Sequence, residues 1–299
     1  MNALNPRQRA VVQLVRERGY ATVDELVAKL SVTHQTIRRD INYLCERGVL
    51  SRFHGGAAFR SSVANLPYET RQGSLAAEKE AIGKAVAAAI PDSSSVFIDI
   101  GTTAEAVAVQ LLEKRGLRIV TNNLNVVSIL CKKDDFDIVV CGGTVRSRDL
   151  AIVGETSREF VSRFQVDYAI LGVVAIAEDG SILDFYIDEA PLTQAIIGCG
   201  RNVFVVADRS KFGRHAMARV AHLSQATAVF TDAPLAAHWK TMLTELGVPL
   251  QMPAAAVSDV RRPVDASVDA PQSNVKPTAR RRTKPATRRK ATSAPKDHA

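Results

Sequence analysis

The chain has 299 residues, of which 46% are hydrophobic and 23% are charged, and its formal net charge at pH 7 is +8. This length allows about two or three domains, and the composition is typical of a globular protein that needs no disulfide or metal to hold its core. The sequence has no apolar run of about 18 residues and begins with a charged segment, so we expect neither a transmembrane helix nor a signal peptide.

The four cysteines do not indicate a metal or redox site. No two of them form a C-x-x-C pair, and none has a histidine at the spacing of metal ligands. We expect reduced and mostly buried thiols at Cys45, Cys131, Cys141 and Cys199. The sequence also lacks the G-x-G-x-x-G motif of dinucleotide sites, so we expect no metal and no cofactor.

The positive charge is concentrated at the two ends of the chain. Residues 1–60 carry a net charge of +5, residues 61–275 carry −5, and residues 276–299 carry +8. This asymmetry indicates a polyanionic partner for the ends, whereas the alternative is charge that serves solubility only.

The basic N-terminal segment predicts three short helices and a β-hairpin. Apolar residues repeat at helical spacing over 6–18, 22–30 and 34–47, with Thr22 and Thr33 as helix caps. Alternating residues over 49–54 and a glycine pair then predict two strands joined by a turn. This order is the plan of a winged helix-turn-helix domain, which places its third helix in the major groove of DNA.

The third helix turns Ile37, Ile41 and Leu44 inward and leaves polar side chains outside. His34 and Gln35 are candidates for contacts with base edges, the arginines for guanine or phosphate, the threonines for phosphate, and the wing for the DNA backbone or minor groove. The predicted DNA-binding residues are Thr33, His34, Gln35, Thr36, Arg38, Arg39, Arg52 and His54. The alternative is a helical bundle with a solvated basic face.

The middle of the chain predicts an α/β domain with a largely parallel sheet. Residues 59–75 show little periodicity and are interpreted as a linker, after which short apolar runs alternate with helical stretches. The predicted strands are 96–99, 118–121, 137–141, 167–173, 203–207 and 228–231, and the predicted helices are 78–90, 103–114, 124–131, 155–164, 187–198 and 235–246.

Polar residues cluster where the predicted strands end, which is where parallel sheets bind ligands. Glycines and threonines there can hold an anion through N–H and hydroxyl groups, the basic residues can pair with it, and the carboxylates can accept from hydroxyls. The sequence therefore predicts a site for a small phosphorylated polyol or sugar. Its candidate residues are Asp99, Gly101, Thr102, Thr103, Asn122, Asn123, Gly143, Arg146, Asp184, Glu189, Asp208 and Lys211.

Each of these signals also has a purely structural explanation. The motif from Asp99 to Thr103 is a common strand-to-helix turn, the glycine pair at 142–143 can be a tight turn, and Asp208 with Lys211 can be an exposed ion pair of little value. Their shared position at strand ends favours the ligand site. An enzyme remains the alternative: a sugar-phosphate isomerase with Asp184 or Glu189 as base and Lys211 as electrostatic stabiliser.

Several motifs resemble the DeoR family of bacterial transcriptional regulators. They are TIRRDI (36–41) and RFHGGA (52–57) in the head, and FIDIGTT (97–103), RIVTNNLN (118–125), GGTVRSRD (142–149) and SKFGR (210–214) in the middle. The resemblance covers about residues 5–250. It implies a cytoplasmic repressor that associates with the nucleoid when bound to DNA, and a recognition helix with Asp40 as an internal brace. It also implies an effector domain similar in fold to ribose-5-phosphate isomerase.

The resemblance further implies that glycerol-3-phosphate is the inducer, that glycerol-utilisation operators are the targets, and that the protein is a homo-oligomer, either a dimer or a tetramer. One segment departs from the family pattern. Asp188 stands where a histidine is usual, and Pro191 and Gln194 stand where basic residues are usual. Since we place this segment in the ligand pocket, the identity of the inducer is more open than the DNA binding.

The tail, residues 253–299, contains no Trp, Tyr, Phe, Leu or Ile and is predicted to be disordered. Its nine basic residues in 276–299 can follow DNA phosphates without reading sequence, or can serve solubility alone. The predicted organisation is a winged helix-turn-helix domain (1–58), a linker (59–75), an effector domain (76–252) and the tail. A third interpretation is an architectural DNA-binding protein driven by the tail.

Overall fold

The computed structural model describes residues 4–18, 20–53, 55–58 and 66–253. The predictions made for His54, for residues 59–65 of the linker and for the tail beyond Pro253 lie outside these described residues. The described residues up to Ala58 are called the head, and those from Leu66 onward are called the sensor region.

The head contains the three predicted helices at almost the predicted bounds. Its elements are α1 (Pro6–Arg18), β1 (Tyr20–Thr22), α2 (Val23–Leu30), α3 (His34–Glu46), β2 (Ser51–Phe53) and β3 (Gly56–Ala58). The capping box at the start of α2 is confirmed, since the Thr22 hydroxyl accepts from the Glu25 N–H (3.0 Å) and the Glu25 carboxylate accepts from the Thr22 N–H (2.8 Å). As predicted, Ile37, Ile41 and Leu44 of α3 are buried.

The wing has three strands instead of the predicted two. β1 pairs antiparallel with β3, which also pairs with β2, and this gives the order β1-β3-β2. β1 was not predicted because three residues between two helices are too few for an alternating pattern to register. The added strand ties the wing to the start of α2 and so to the helical core.

The sensor region contains the predicted α/β elements and several shorter ones. In chain order they are α4 (Tyr68–Gly73), α5 (Ala76–Ala89), β4 (Ser95–Ile98), α6 (Thr102–Leu111), β5 (Arg118–Thr121), α7 (Leu124–Leu130), β6 (Asp137–Val140), β7 (Thr144–Arg146), β8 (Ala151–Val153), α8 (Glu155–Val161), β9 (Val166–Gly172), β10 (Ala175–Ile176), β11 (Ser181–Asp184), α9 (Glu189–Cys199), β12 (Gly200–Val206), β13 (Ala218–His222), β14 (Ala228–Phe230), α10 (Ala237–Glu245) and β15 (Leu250–Gln251).

A seven-stranded parallel sheet forms the centre of this region, in the order β15-β14-β12-β9-β4-β5-β6. Successive residues of β4 pack on opposite faces: Val96 and Ile98 join the apolar cluster under α5 and α6, whereas Phe97 joins the cluster that includes α9 and α10. Both faces are therefore buried, which explains why the strands read as continuous apolar runs. The carboxyl ends of all seven strands meet at one edge.

Apart from β15, the short outer strand of the central sheet, the elements of this region that the sequence did not predict are short and lie around that edge. They are the hairpin β7–β8, the small antiparallel sheet β10-β11-β13, and α4 inside the predicted linker. Tyr68 to Gly73 offers only six residues, fewer than the periodicity of a helix needs to become visible.

Two predictions about the whole chain can be compared with the described residues. None of the helices described is long and apolar enough to cross a membrane. All four cysteines are free thiols. Cys141 and Cys199 are buried, as expected, whereas Cys131 is exposed and does not fit the expectation of burial.

Candidate functional sites

The N-terminal half of α3 presents an exposed polar surface. The Thr33 hydroxyl caps the helix by accepting from the Thr36 N–H at 3.3 Å, and the two hydroxyls lie 2.9 Å apart. The exposed residues of this turn and the next are His34, Gln35, Arg38 and Arg39. All four were predicted as candidate DNA contacts. Their exposure means that this end of the helix is accessible to a DNA groove.

Asp40 holds this helix to α1, as predicted. Its side chain is only 4% exposed, and it accepts from Arg7 Nε at 2.5 Å and from Gln8 Nε2 at 3.2 Å. The carboxylate is directed into the head and fixes the angle between α1 and α3. Asp40 is thus a structural residue of the recognition surface.

Two of the other predicted DNA contacts have partners within the head. His34 Nε2 lies 2.9 Å from an oxygen of Asp24, and Arg52 donates to Asn42 Oδ1 at 2.6 Å. All four side chains are exposed, so these bonds are accessible to competition from DNA phosphate. The arrangement fixes the wing arginine beside the recognition helix.

A cavity of about 360 Å³ lies at the carboxyl ends of the central strands. Its floor includes the turn from β4 into α6, where Gly101 has φ +113 and the N-terminus of α6 faces the space. Eight of the twelve predicted ligand residues line it: Asp99, Gly101, Thr102, Thr103, Arg146, Asp184, Glu189 and Lys211. The strand-end argument therefore brought two thirds of its candidate residues to one cavity.

Arg146 occupies the centre of an ion network in this cavity. It donates to both carboxylate oxygens of Asp149, at 2.8 and 3.0 Å, and also donates to Glu189. Burial alone would lower the pKa of Arg146, but the two carboxylates outweigh burial and raise it. The guanidinium is permanently charged and fully engaged by the protein's own acids.

A set of three buried carboxyls lines the same cavity and is called the carboxyl cluster: Asp99, Asp184 and Glu189. Burial raises the pKa of Asp99 to about 7, and the neighbouring Glu189 and Asp184 charges add to this effect. Burial also raises the pKa of Asp184 and of Glu189, although Arg146 opposes the shift in both. Asp99 can therefore be protonated near neutral pH, and a carboxyl in that state is able both to donate to and to accept from ligand hydroxyls.

A second set of groups is basic and is called the cation cluster: Arg71, Lys79, Lys211 and Arg214. Lys79 is buried and the other three are half-buried; Arg71 and Lys211 line the cavity, and all four line a second pocket. Burial lowers the pKa of each of these groups, and that of Lys211 falls to about 8. Asp208 raises the pKa of Lys79, Lys211 and Arg214, and Asp149 and Glu105 raise that of Arg71, but burial outweighs these carboxylates in each case. Holding these cations away from water is costly, and a bound anion would relieve part of the cost.

The interpretation of Asp208 and Lys211 as an exposed pair is wrong. Asp208 is 1% exposed, and its carboxylate accepts from the Ser210 N–H at 3.0 Å as well as lying 4.0 Å from Lys211 Nζ. Asp208 therefore supports the loop that carries Lys211, but it does not line the cavity itself.

Two further predicted ligand residues, Asn122 and Asn123, lie behind the cavity wall. Asn123 caps α7, accepting from the Asn125 N–H at 2.9 Å, and donates to Glu105. Asn122 is fully buried near Asp99, and its carboxamide makes no hydrogen bond of ordinary geometry within the described residues. Their burial under α6 and α7 removes them from ligand contact.

Gly143 also does not line the cavity. Its φ is +153, and a Cβ at this position would lie 2.3 Å from Ser157 Oγ and 2.8 Å from the Val153 carbonyl oxygen. The close approach of the β7–β8 hairpin to α8 requires a glycine here. The structural explanation, a constrained turn, is the correct one for this residue.

The departures from the family pattern also lie outside the cavity, contrary to expectation. Asp188 and Pro191 are exposed, and Gln194 donates to the Val220 carbonyl at 2.7 Å. The same segment contributes Glu189 and Thr193 to the lining instead.

The sequence reasoning missed several residues that complete the site. Tyr68 and Arg71 reach the cavity from α4, and Arg148 and Asp149 reach it from the turn after β7. The last two were visible in the GGTVRSRD motif, where only Arg146 was selected. Tyr68 and Arg71 had no signal beyond their own chemistry, because the segment around them looked like a linker.

Comparisons with known proteins agree with this two-part organisation. Residues 7–63 match the family model of the DeoR-like helix-turn-helix domain, and residues 74–233 match that of the DeoR C terminal sensor domain. Against solved structures, ribose 5-phosphate isomerase A from Methanocaldococcus jannaschii aligns with a TM-score of 0.33 at 13% identity, covering 45% of this chain and 53% of that one. A likeness of this size carries no conclusion about activity.

Two curated relatives match nearly over their full length. The glycerol-3-phosphate regulon repressor of Escherichia coli is 46% identical over 246 residues, which is 82% of this chain and 98% of that protein. The HTH-type transcriptional repressor CsqR of Escherichia coli is 42% identical over 249 residues, covering 83% of this chain and 95% of that protein. With both family models matched in order, the chain belongs to the DeoR family and is a DNA-binding transcriptional repressor.

Proposed function

We propose that the cavity binds a small phosphorylated polyol or sugar, with glycerol-3-phosphate as the first candidate, and that binding releases the head from operator DNA. The observation that carries this proposal is a single small cavity lined by the carboxyl cluster and by two members of the cation cluster, Arg71 and Lys211. The cation cluster suits a phosphate, and the carboxyl cluster suits hydroxyls. The volume of about 360 Å³ is at the lower end of the range for small-molecule sites.

Glycerol-3-phosphate is preferred among such compounds for two reasons. The Escherichia coli relative at 46% identity is named for the glycerol-3-phosphate regulon. In addition, Asp188, Pro191 and Gln194 do not line the cavity, so these departures from the family pattern give no reason to expect a different ligand.

The head is proposed to contact its operator through the exposed part of α3 and the wing. Thr33, Thr36 and the helix N-terminus are assigned to phosphate, His34 and Gln35 to base edges, and the arginines to guanine or phosphate. Operators read by two heads require at least a dimer, so a homo-oligomer in the cytoplasm is part of the proposal.

The test is the affinity of the full-length protein for an operator selected from random DNA, with and without glycerol-3-phosphate at fixed salt. We expect affinity to fall about 100-fold, which corresponds to about 2.7 kcal/mol of coupling. Lys211→Gln should abolish the response, whereas the exposed Lys240→Gln should keep it. An operator affinity that glycerol-3-phosphate leaves unchanged would refute the induction mechanism.

The ligand panel should contain glycerol, inorganic phosphate and ribose-5-phosphate in addition to glycerol-3-phosphate. Calorimetric titration of the full chain should give the tightest binding for a compound that carries both phosphate and hydroxyls. The isomerase alternative predicts turnover of ribose-5-phosphate, and we expect none, because the relatives with matching sequences carry the names of repressors.

A further inference from the structure

Helix α4 belongs to two parts of the molecule at once. Through Tyr68 and Arg71 it forms a wall of the ligand cavity, and Leu66 and Pro67 just before it line the same space. Only seven residues, 59–65, connect Ala58 of the wing to Leu66. A chain of that length spans at most about 28 Å, so the position of α4 limits where the head can lie.

Three contacts attach α4 to the rest of the sensor region. The Tyr68 hydroxyl donates to Glu105 Oε2 at 2.7 Å, and the Arg71 guanidinium lies 3.9 Å from Asp149 Oδ2. Lys79 of α5 donates to the carbonyl oxygens of Arg71 and of Ser74, the latter at 2.7 Å. The helix is thus held by polar side chains and not by an apolar face, since none of its residues is fully buried.

The two acids that hold α4 are joined to each other and to the cavity. Asn125 Nδ2 donates to Glu105 Oε1 at 3.1 Å and to the Asp149 carbonyl at 3.2 Å. Asp149 also accepts two hydrogen bonds from Arg146. A single network therefore runs from Tyr68 through Glu105 and Asp149 to Arg146 at the centre of the site.

An anion that enters this network changes the partners that hold α4. Asp149 is shared between Arg146, at 2.8 Å, and Arg71, at the longer distance of 3.9 Å. A phosphate dianion competes with Asp149 for both guanidiniums, and the weaker contact gives way first. The Arg71 side chain would then bind the ligand in place of Asp149. The hydrogen bond between Tyr68 and Glu105 would determine whether the whole of α4 moves together with Arg71.

We propose that α4 is the element through which the cavity controls the head, with Tyr68 and Glu105 as its positioning residues. The inference rests on the proposed function, because it assumes that a phosphorylated ligand alters DNA binding. This one helix couples ligand occupancy of the cavity to the position of the head, because it lines the cavity and is connected to the wing by only seven residues. Neither residue needs to touch the ligand for this role.

The test separates coupling from ligand affinity. The operator affinity of the full chain is measured without and with saturating glycerol-3-phosphate, for the wild type, for Tyr68→Phe and for the matched control Tyr168→Phe. Tyr168 packs on Phe204 in the central sheet, away from α4. We expect Tyr68→Phe to reduce the ratio of the two affinities at least fivefold at a saturating ligand concentration. The control should keep the wild-type ratio.

Other outcomes have distinct meanings. If the wild type responds and Tyr68→Phe responds equally, α4 is not the coupling element, although the proposed function stands. The same holds if more ligand restores the full ratio, since Tyr68 is then only a ligand contact. If the wild type itself does not respond, the proposed function fails and this inference fails with it. Glu105→Gln provides a second variant, for which we expect the same loss of coupling at saturation.

Discussion

The Arg146 guanidinium donates to Glu189 across the cavity and so joins the β7–β8 hairpin to the first turn of α9. Without this bond, Glu189 would be a nearly buried carboxylate beside Asp184, and Arg146 would rely on Asp149 alone. The pair therefore stabilises the cavity, and under the proposed function a phosphate ligand would compete with it.

Replacing Arg146 with Met should reduce stability in a pH-dependent way. The substitution leaves Asp149 and Glu189 without their main cation, and breaking a buried pair on one side typically costs about 3 kcal/mol. The loss should be largest at pH 7 and smaller at pH 5, because burial raises the pKa of Glu189, and without Arg146 to oppose this shift the carboxyl becomes protonated more readily as the pH falls. Urea unfolding at both pH values measures the difference.

The exposed Arg148→Met serves as the control for that experiment. It removes a guanidinium that stacks on Tyr186 at 4.2 Å, and we expect less than about 1 kcal/mol at either pH. An equal loss for Arg146→Met at pH 5 and pH 7 would show that the carboxyls are not the reason for the destabilisation.

Ligand affinity should weaken as the pH rises from 7 to 9. Burial lowers the pKa of Lys211 to about 8, so its ammonium is mostly charged at pH 7 and mostly neutral at pH 9. A phosphate monoester is already a dianion over this range, since its second pKa is about 6. If binding requires the charged lysine, the affinity for glycerol-3-phosphate falls about tenfold over these two pH units.

Lys211→Arg isolates the cause of that pH dependence. An arginine remains charged at pH 9, so the variant should bind with an affinity that changes little between pH 7 and pH 9, whatever its absolute value. Calorimetric titration at three pH values gives the comparison. A variant that keeps the tenfold decline would assign it to another group.

Arg38→Ala and Arg39→Ala should each weaken operator binding at least tenfold. Both side chains are exposed on the N-terminal half of α3. An arginine that contacts phosphate lowers the slope of log affinity against log salt by about 1, whereas one that reads a base costs about 1–3 kcal/mol and relaxes specificity at that base. Binding titrations at several salt concentrations distinguish the two roles.

Arg47→Ala is the matched control at the other end of the same helix. Its guanidinium lies over the Tyr43 ring, 4.6 Å from the centroid, beyond the last turn of α3. We expect less than a threefold change in operator affinity. A loss as large as that of Arg38→Ala would mean that the whole length of the helix contacts DNA.

Gly143→Ala should destabilise the sensor region by about 2 kcal/mol, because the new methyl group collides with backbone and the φ of +153 disfavours other residues. The adjacent Gly142→Ala is the control: nothing lies within 4 Å of its added Cβ, so thermal unfolding should change little. Equal shifts in the two variants would contradict the role given to the hairpin packing.

The sequence predicted the long periodic elements well, since burial on one or both faces leaves a pattern that can be counted. It also predicted eight of the residues that line the cavity at the strand ends. It failed where an element is short or polar. β1, β7 and α4 have three to six residues each, too few for periodicity. Asn122, Asn123 and Gly143 show the opposite error, because polar or flexible residues at a strand end can support the site from behind.

The place of α4 in the cavity wall affects how the protein can be divided. A fragment that starts at Ala76 lacks Tyr68 and Arg71, and therefore lacks one side of the pocket and one of its charges. In chimaeras that exchange the DNA-binding heads of two regulators, residues 66–75 should therefore stay with the sensor region to which they belong. A junction placed after Gly73 would combine the α4 helix of one regulator with the sensor region of another, and that helix would not fit the cavity whose wall it has to complete.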